Sequence, residues 1–338
     1  MPPVPQPNDQ PNELAETTLL LVDTPSESRA EEAAVGLVRR LVPGPAAYDD
    51  GEVLLYGDGP ILLAGHLDTI PAQGNIPGRI ADGVVHGLGA SDMKGGVAVM
   101  VELARAGVPG RYLFFTREEV PVAESPLPAL FETGVLDDVE LAVVLEPTDC
   151  ILHAGCLGNI QARVTFRGES AHSARPWTGV NAIHELVRGL QGLADLEPSD
   201  VELDGLTYRE VVSAVRVEGG IAANVVPATA SAELNFRFML GDPEQRLRAF
   251  VPEGELEILA SSPSAPPSLA NEHVRRLREL VPDVAPKQAW TPVAQFAERG
   301  IDAINYGPGL TRYAHRQDEQ VPIDNLVRAY DTLERFLS

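Results

Sequence analysis

The apolar runs of the first 150 residues come in two kinds, long and helical or short and strand-like. ELAETTLLLVDTP (13–25) reads as a helix ended by Pro25. SRAEEAAVGLVRRLV (28–42) has helical spacing, with acids early and arginines late, as the helix dipole prefers. EVLLYG, PILLAGHLDT, RYLFFTREE and LAVVLEP follow as short apolar runs flanked by glycine, a pattern that predicts buried strands. GGVAVMVELARAG, a helix ending at Gly107, lies between the second and third of them. This β-α-β order predicts an α/β sheet with parallel strands.

Near Gly155 the pattern changes. NIQARVTFRG, VVSAVRVEGG and ASAELNFRFML alternate like half-buried antiparallel strands, and NAIHELVRGLQGLADL and DPEQRLRAFV read as helices. SSPSAPPSLA (261–270) reads as a linker, after which a helix, the strand and loop DAINYGPG and a final helix resume the first style. The expected organisation is an α/β domain, 1–156 and 267–338, split by an inserted α+β domain, 157–266. The first dozen residues, rich in Pro and Asn, are expected to form a loose arm.

Composition narrows the function. The 338 residues carry 26 basic and 49 acidic side chains, a net charge of −23, which argues against nucleic-acid partners and anionic membrane surfaces. Hydrophobic residues make up 44%, enough for a core. Two cysteines are too few for a secreted disulfide framework. The start lacks the basic and apolar regions of a signal peptide, and no apolar run approaches a membrane span. The expectation is a soluble, cytoplasmic protein. Lys94 and Lys287 are the only lysines, which reads as codon bias.

Chemistry-bearing residues follow the predicted strands. His66 and Asp68 come after ILLAG, Arg117, Glu118 and Glu119 after YLFFT, Glu146 after LAVVL, and His315 after the last strand and its glycine loop. In open α/β sheets function gathers at the carboxyl ends of strands, so these groups should meet at one edge. Asp92 lies within HGLGASDMKGG, whose glycines let backbone approach closely. Two imidazoles and several carboxylates suit a mixed nitrogen and oxygen metal site. So many acids need cations to neutralise them, and two metals bridged by one carboxylate would do so. Asp68 is placed to hold the His66 imidazole in its ligating tautomer.

This arrangement resembles the di-zinc aminoacylase and carboxypeptidase family of metallopeptidases. The resemblance rests on GHLDTIP, GLGASDMKGG, TREEV, LEPT and AHRQDE, in that order, and covers nearly the whole chain. It implies a mostly parallel-sheet di-zinc hydrolase domain with an inserted α+β dimerisation, or lid, domain. It also implies two zinc ions per chain, with cobalt or manganese able to replace one. One would be held by His66, Asp92 and Glu146, the other by Asp92, Glu119 and His315, with Asp92 bridging. Glu118 would be the general base. His172, in GESAHSARP, would reach across a homodimer into the partner's site, and Asn224 and Arg237 would sit near the substrate. HAGCLGNIQARVTFRGESAHSARPWTGVNAIHE and NVVPATASAELNFRF are most similar to the actinobacterial branch that hydrolyses N-succinyl-LL-2,6-diaminopimelate. The implied activity is release of succinate and LL-2,6-diaminopimelate in lysine and diaminopimelate synthesis.

Bland readings compete with the sharp ones. Asp92 could be a turn aspartate, Glu118 and Glu119 a solvated strand end, and Glu146 a surface acid before Pro147. A histidine in a Gly-Ser-Ala loop is commonly solvated or capping, so the role of His172 rests on the resemblance. Arg237 could be a strand arginine in a structural ion pair. GCLGNI stands where many relatives have an arginine-rich GRRGS-like stretch that reads a substrate carboxylate, so Arg175 becomes a candidate for that task. The alternatives in activity are another N-acyl amino acid amidohydrolase, such as an acetylornithine deacetylase or a carrier-bound lysine hydrolase, and a non-catalytic metal-binding protein on the same fold. Glu118 speaks against the last, since a binder needs no base beside a ligand.

Overall fold

The computed structural model describes residues 10–338; the part of the expected N-terminal arm before residue 10 lies outside the described residues, and Gln10–Asn12, expected in that arm, instead open the helix Gln10–Asp23. The fold is mixed α/β in two compact units: Cys156–Ala265 with Gln288–Trp290 form the second, and the remainder the first. No helix among the described residues is long and apolar enough to cross a membrane.

The first unit is built on an eight-stranded sheet. Its order is Tyr48–Asp49, Val53–Gly57, Arg111–Phe115, Ile61–His66, Leu141–Val144, Asp302–Asn305, Leu152–Ala154 and Val284–Pro286. Arg111–Phe115, Ile61–His66, Leu141–Val144 and Asp302–Asn305 are neighbours and mutually parallel. Val53–Gly57 departs from the parallel expectation and pairs antiparallel with Arg111–Phe115. Only residues 58–60 separate it from Ile61–His66. So short a link cannot hold a crossover helix, so the chain reverses direction.

The central strands are buried on both faces, which explains their continuous apolar runs. Helix Gly95–Arg105 packs on strand Ile61–His66 and on helices Gln10–Asp23 and Ile323–Leu337. It is buried from Gly95 through Leu103. The last helix instead buries a stripe of Leu326, Ala329, Tyr330, Leu333 and Phe336, three or four apart, and leaves its other face to water.

The second unit is a five-stranded antiparallel sheet in the order Ser199–Leu203, Leu206–Gly219, Thr229–Phe238, Gly158–Arg167 and Glu255–Ser262. Along Gly158–Arg167, Ile160, Ala162, Val164 and Phe166 point inward, and Leu234, Phe236 and Phe238 do the same on its partner. Helices Ala182–Ala194, capped by the Asn181 side chain, and Pro243–Phe250, capped by Asp242, cover that face. Glu255–Ser262 was not expected as a strand, and it occupies the start of the supposed linker. Its alternation of Leu256, Ile258 and Ala260 was the available signal.

Candidate active site

Four parallel strands end at one edge of the first unit's sheet, and the loops beyond them bring the candidate ligands together. His66 closes its strand, fully buried. Its Nε2 lies 3.3 Å from Asp92 Oδ1 and 3.8 Å from Glu146 Oε1. His315 Nε2 lies 3.5 Å from Asp92 Oδ2 and 2.9 Å from Glu119 Oε1. Asp92 therefore turns one carboxylate oxygen to each imidazole. Donor atoms of His66, Asp92 and Glu146 lie within 4.8 Å of one another, as do those of Asp92, Glu119 and His315, and of His66, Glu118 and Glu119.

Local backbone fixes each of these groups. Asp92 precedes helix Gly95–Arg105 in an extended conformation, φ −121° and ψ 91°. Gly89, at φ 74°, occupies the left-handed region, where any side chain is strained. Gly96 lets the helix pack so closely that a Cβ there would lie 2.5 Å from the Leu145 carbonyl oxygen. His315 itself has φ 62°, costly for a residue with a side chain. Its carbonyl accepts a hydrogen bond from Gln73 Nε2 at 3.1 Å.

Asp68 does more than sequence reasoning assigned to it. The His66 Nδ1 is nearer the Asp68 backbone carbonyl, at 3.1 Å, than its carboxylate, at 3.5 Å. The carboxylate accepts the Glu118 and Glu119 backbone N–H groups, each at 3.0 Å, and the Ser28 hydroxyl at 2.7 Å. Burial alone would push its pKa up, but the His66 bond and these N–H donors hold it at about 2. Asp68 is thus a permanent anion that pins the backbone carrying Glu118 and Glu119.

The acids around Asp92 have too few donors, and protons respond. Burial, and then the neighbouring Glu146, push the Glu118 pKa well above the carboxylate range. Burial and Asp92 raise Glu146 to about 7. The bond to Glu119 raises His315 to about 9. Burial opposes charge on His66, but Asp68 and Asp92 outweigh it and raise its pKa. Glu146 Oε1 is buried with no hydrogen-bond partner among the described residues. The repulsion that draws protons to this cluster would equally be relieved by metal cations, whose binding releases protons from their ligands. Two ligands about 2.0–2.2 Å from a tetrahedral ion lie about 3.3–3.6 Å apart, and the donor separations here scatter around those values. The residues fit a pair of metal ions sharing Asp92.

Two supporting residues escaped the sequence reading. Glu319 is buried and accepts the backbone N–H groups of Gly89, Ser91 and Asp92 at 2.8, 3.1 and 2.9 Å. It clamps the Asp92 loop from a point four residues beyond His315. Lys287 lies buried beside Glu146. The only signal for it was a lysine in a chain whose basic residues are otherwise arginine, Lys94 excepted.

His172, Arg175, Asn224 and Arg237 all belong to the second unit. His172 pairs with Val225 in a two-stranded ladder, next to Asn224. Its Nδ1 accepts the Ala174 N–H at 3.0 Å, so neutral His172 carries its proton on Nε2, a donor. Arg175 is exposed and has no ion-pair partner among the described residues. Arg237 is half-buried; its Nε donates to Asn235 Oδ1 at 3.2 Å and no carboxylate among the described residues pairs with it, unlike a structural ion pair.

The family model described as Peptidase family M20/M25/M40 matches residues 62–338. A Mycobacterium tuberculosis protein named for succinyl-diaminopimelate desuccinylase is 37% identical over 347 residues, covering 95% of this chain and 97% of its own. The succinyl-diaminopimelate desuccinylase of Corynebacterium glutamicum is 34% identical over 300 residues, covering 82% and 80%. Among solved structures, a tripeptidase from Staphylococcus aureus superposes with a TM-score of 0.75 at 18% identity, covering 97% of each chain.

Proposed function

This chain belongs to peptidase family M20/M25/M40 and is a hydrolase of amide bonds, and from that premise we propose that it cleaves N-succinyl-LL-2,6-diaminopimelate to succinate and LL-2,6-diaminopimelate. The observation that carries the reading is Glu118, a half-buried carboxyl of raised pKa in the cluster around a carboxylate that faces two imidazoles. The proposed zinc ligands are His66, Asp92 and Glu146 for one ion and Asp92, Glu119 and His315 for the other. Two such ions would lower the pKa of a water towards about 7 and polarise the acyl carbonyl.

The side chains supply the remaining chemistry. Glu118 accepts the proton of the attacking water and returns it to the departing amine. Its raised pKa suits it to hold that proton between the two steps. Asp68 keeps the Glu118 backbone in place throughout. His172, with its donor Nε2, would stabilise the oxyanion in the partner's site, and Asn224, Arg237 and Arg175 would receive substrate carboxylates. An uncompensated Arg237 supports that assignment.

The second unit is proposed as the dimerisation domain, and the chain as a cytoplasmic homodimer. Among the described residues Ser199–Leu203 pairs only with Leu206–Glu210, so strand Leu206–Gly219 has no second neighbour there beyond Glu210. Val215 and Val217 on that stretch, and Val187 on the helix, are largely exposed. An open strand edge with exposed valines invites a second copy.

A panel of N-succinyl, N-acetyl and dipeptide substrates, assayed with zinc, tests the function. Preference for N-succinyl-LL-2,6-diaminopimelate supports it. Preference for N-acetylornithine moves the chain to the deacetylases, and metal binding without turnover of any substrate leaves a binding protein.

A further inference from the structure

Within the acidic cluster, Glu146 has a lysine ammonium beside it. Lys287 directly follows the edge strand Val284–Pro286, and its backbone N–H donates to the Ala154 carbonyl at 3.2 Å. The side chain is 5% exposed. Its Nζ lies 3.7 Å from Glu146 Oε2 and donates to the Pro147 carbonyl at 3.3 Å. The other oxygen of Glu146, Oε1, faces His66 Nε2 at 3.8 Å and accepts no hydrogen bond from the described residues. The two oxygens of one carboxylate thus have different surroundings, a cation at one and the cluster at the other.

The residue type suits this division. An ammonium is a compact point charge that satisfies one oxygen, whereas a guanidinium offers a planar fork that takes both. Carboxylates bind metals through one oxygen or two, and the number decides how many positions remain for water and substrate. We propose that Lys287 is a positioning residue that reserves Oε2 of Glu146 and presents Oε1 alone to the cation between His66, Asp92 and Glu146. The proposal rests on reading that cluster as a metal site. Lys287 keeps Glu146 a one-oxygen ligand and so keeps a coordination position open.

Cobalt(II) reports this directly, because its visible absorption weakens as its coordination number rises. Lys287→Met preserves side-chain length and removes the charge. With two equivalents of cobalt added to the metal-depleted full chain, Lys287→Met should bind both ions. Its visible band should be several-fold weaker than that of the unaltered protein at the site holding Glu146. A spectrum identical to the unaltered protein, with or without a loss of thermal stability, overturns the proposal. The crystal structure of the unaltered protein with cobalt is a second test that needs no variant. Glu146 ligating through Oε1 alone, with Lys287 on Oε2, supports the proposal, and two-oxygen ligation overturns it. If the unaltered protein binds no cobalt, the metal-site reading fails and takes this proposal with it.

Discussion

In the first unit, Asp92, Glu118, Glu119 and Glu146 crowd around two imidazoles, and Lys287 is the ammonium among them. In the second unit's sheet the acids stand opposite arginines. Arg163 reaches Glu233 on one neighbouring strand at 3.1 Å and Glu257 on the other at 3.4 Å, and Arg209 pairs with Asp200 at 2.8 Å. Even the buried Glu210 is met there by Arg246 and by the Met239 N–H. The difference separates two uses of charge. Paired exposed ions contribute little and keep a surface soluble. Acids crowded together with fewer donors than oxygens cost stability, and such an arrangement persists where a cation or a reaction needs it.

The largest expected effect tests the functional side. Glu118→Gln should retain two zincs and lose about 10²- to 10⁴-fold in kcat. Metal analysis and kinetics on one preparation check it, and near-normal turnover would end the assignment. Mixed with the inactive His172→Ala chain, Glu118→Gln should regain activity if His172 serves the partner's site. In that case some sites of the mixed dimer hold neither defect. Subunit exchange confirmed by mass spectrometry, with no recovered activity, would return His172 to its own subunit.

Glu319→Ala should come next. It leaves the N–H groups of Gly89, Ser91 and Asp92 without their acceptor, at a cost of about 1–3 kcal/mol in stability. It should also weaken zinc binding by releasing the loop that carries Asp92. Calorimetric zinc titration should show Glu319→Gln, which keeps one acceptor oxygen, falling between the two. Unchanged affinity in Glu319→Ala would show that the clamp is dispensable.

The smallest effects belong to the second unit. Burial would raise the Glu210 pKa, but Arg246 and the Met239 and Leu240 N–H groups lower it overall. Its stabilisation is therefore fully present above the unfolded carboxylate pKa and is lost as pH falls through the lower folded value. Arg246→Met should cost about 1–3 kcal/mol at neutral pH and flatten that acid-side loss. Thermal unfolding between neutral and acidic pH checks both. Arg163→Ala, on the exposed ladder, should cost under about 1 kcal/mol. A larger loss there would erase the contrast between the units.

Several features were written locally enough to read without coordinates. Strand ends announce themselves as apolar runs, so His66, Glu118, Glu119, Glu146 and His315 could be sent to one edge before any contact was known. The glycines around Asp92 marked a crowded loop. Alternation in 159–168 and 230–240 marked an antiparallel sheet. Such signals survive in sequence because side-chain period follows backbone geometry. Tertiary structure decided the rest. It placed Arg111–Phe115 between Val53–Gly57 and Ile61–His66. It turned the Asp68 carboxylate to the backbone of Glu118 and Glu119, closed Glu319 on the Asp92 loop, and set Lys287 against Glu146. These contacts join residues 50 to 230 positions apart, and most end on backbone N–H groups that every residue but proline possesses. A donor common to nearly all residues leaves no mark in composition or spacing, so only the folded chain could name its acceptor.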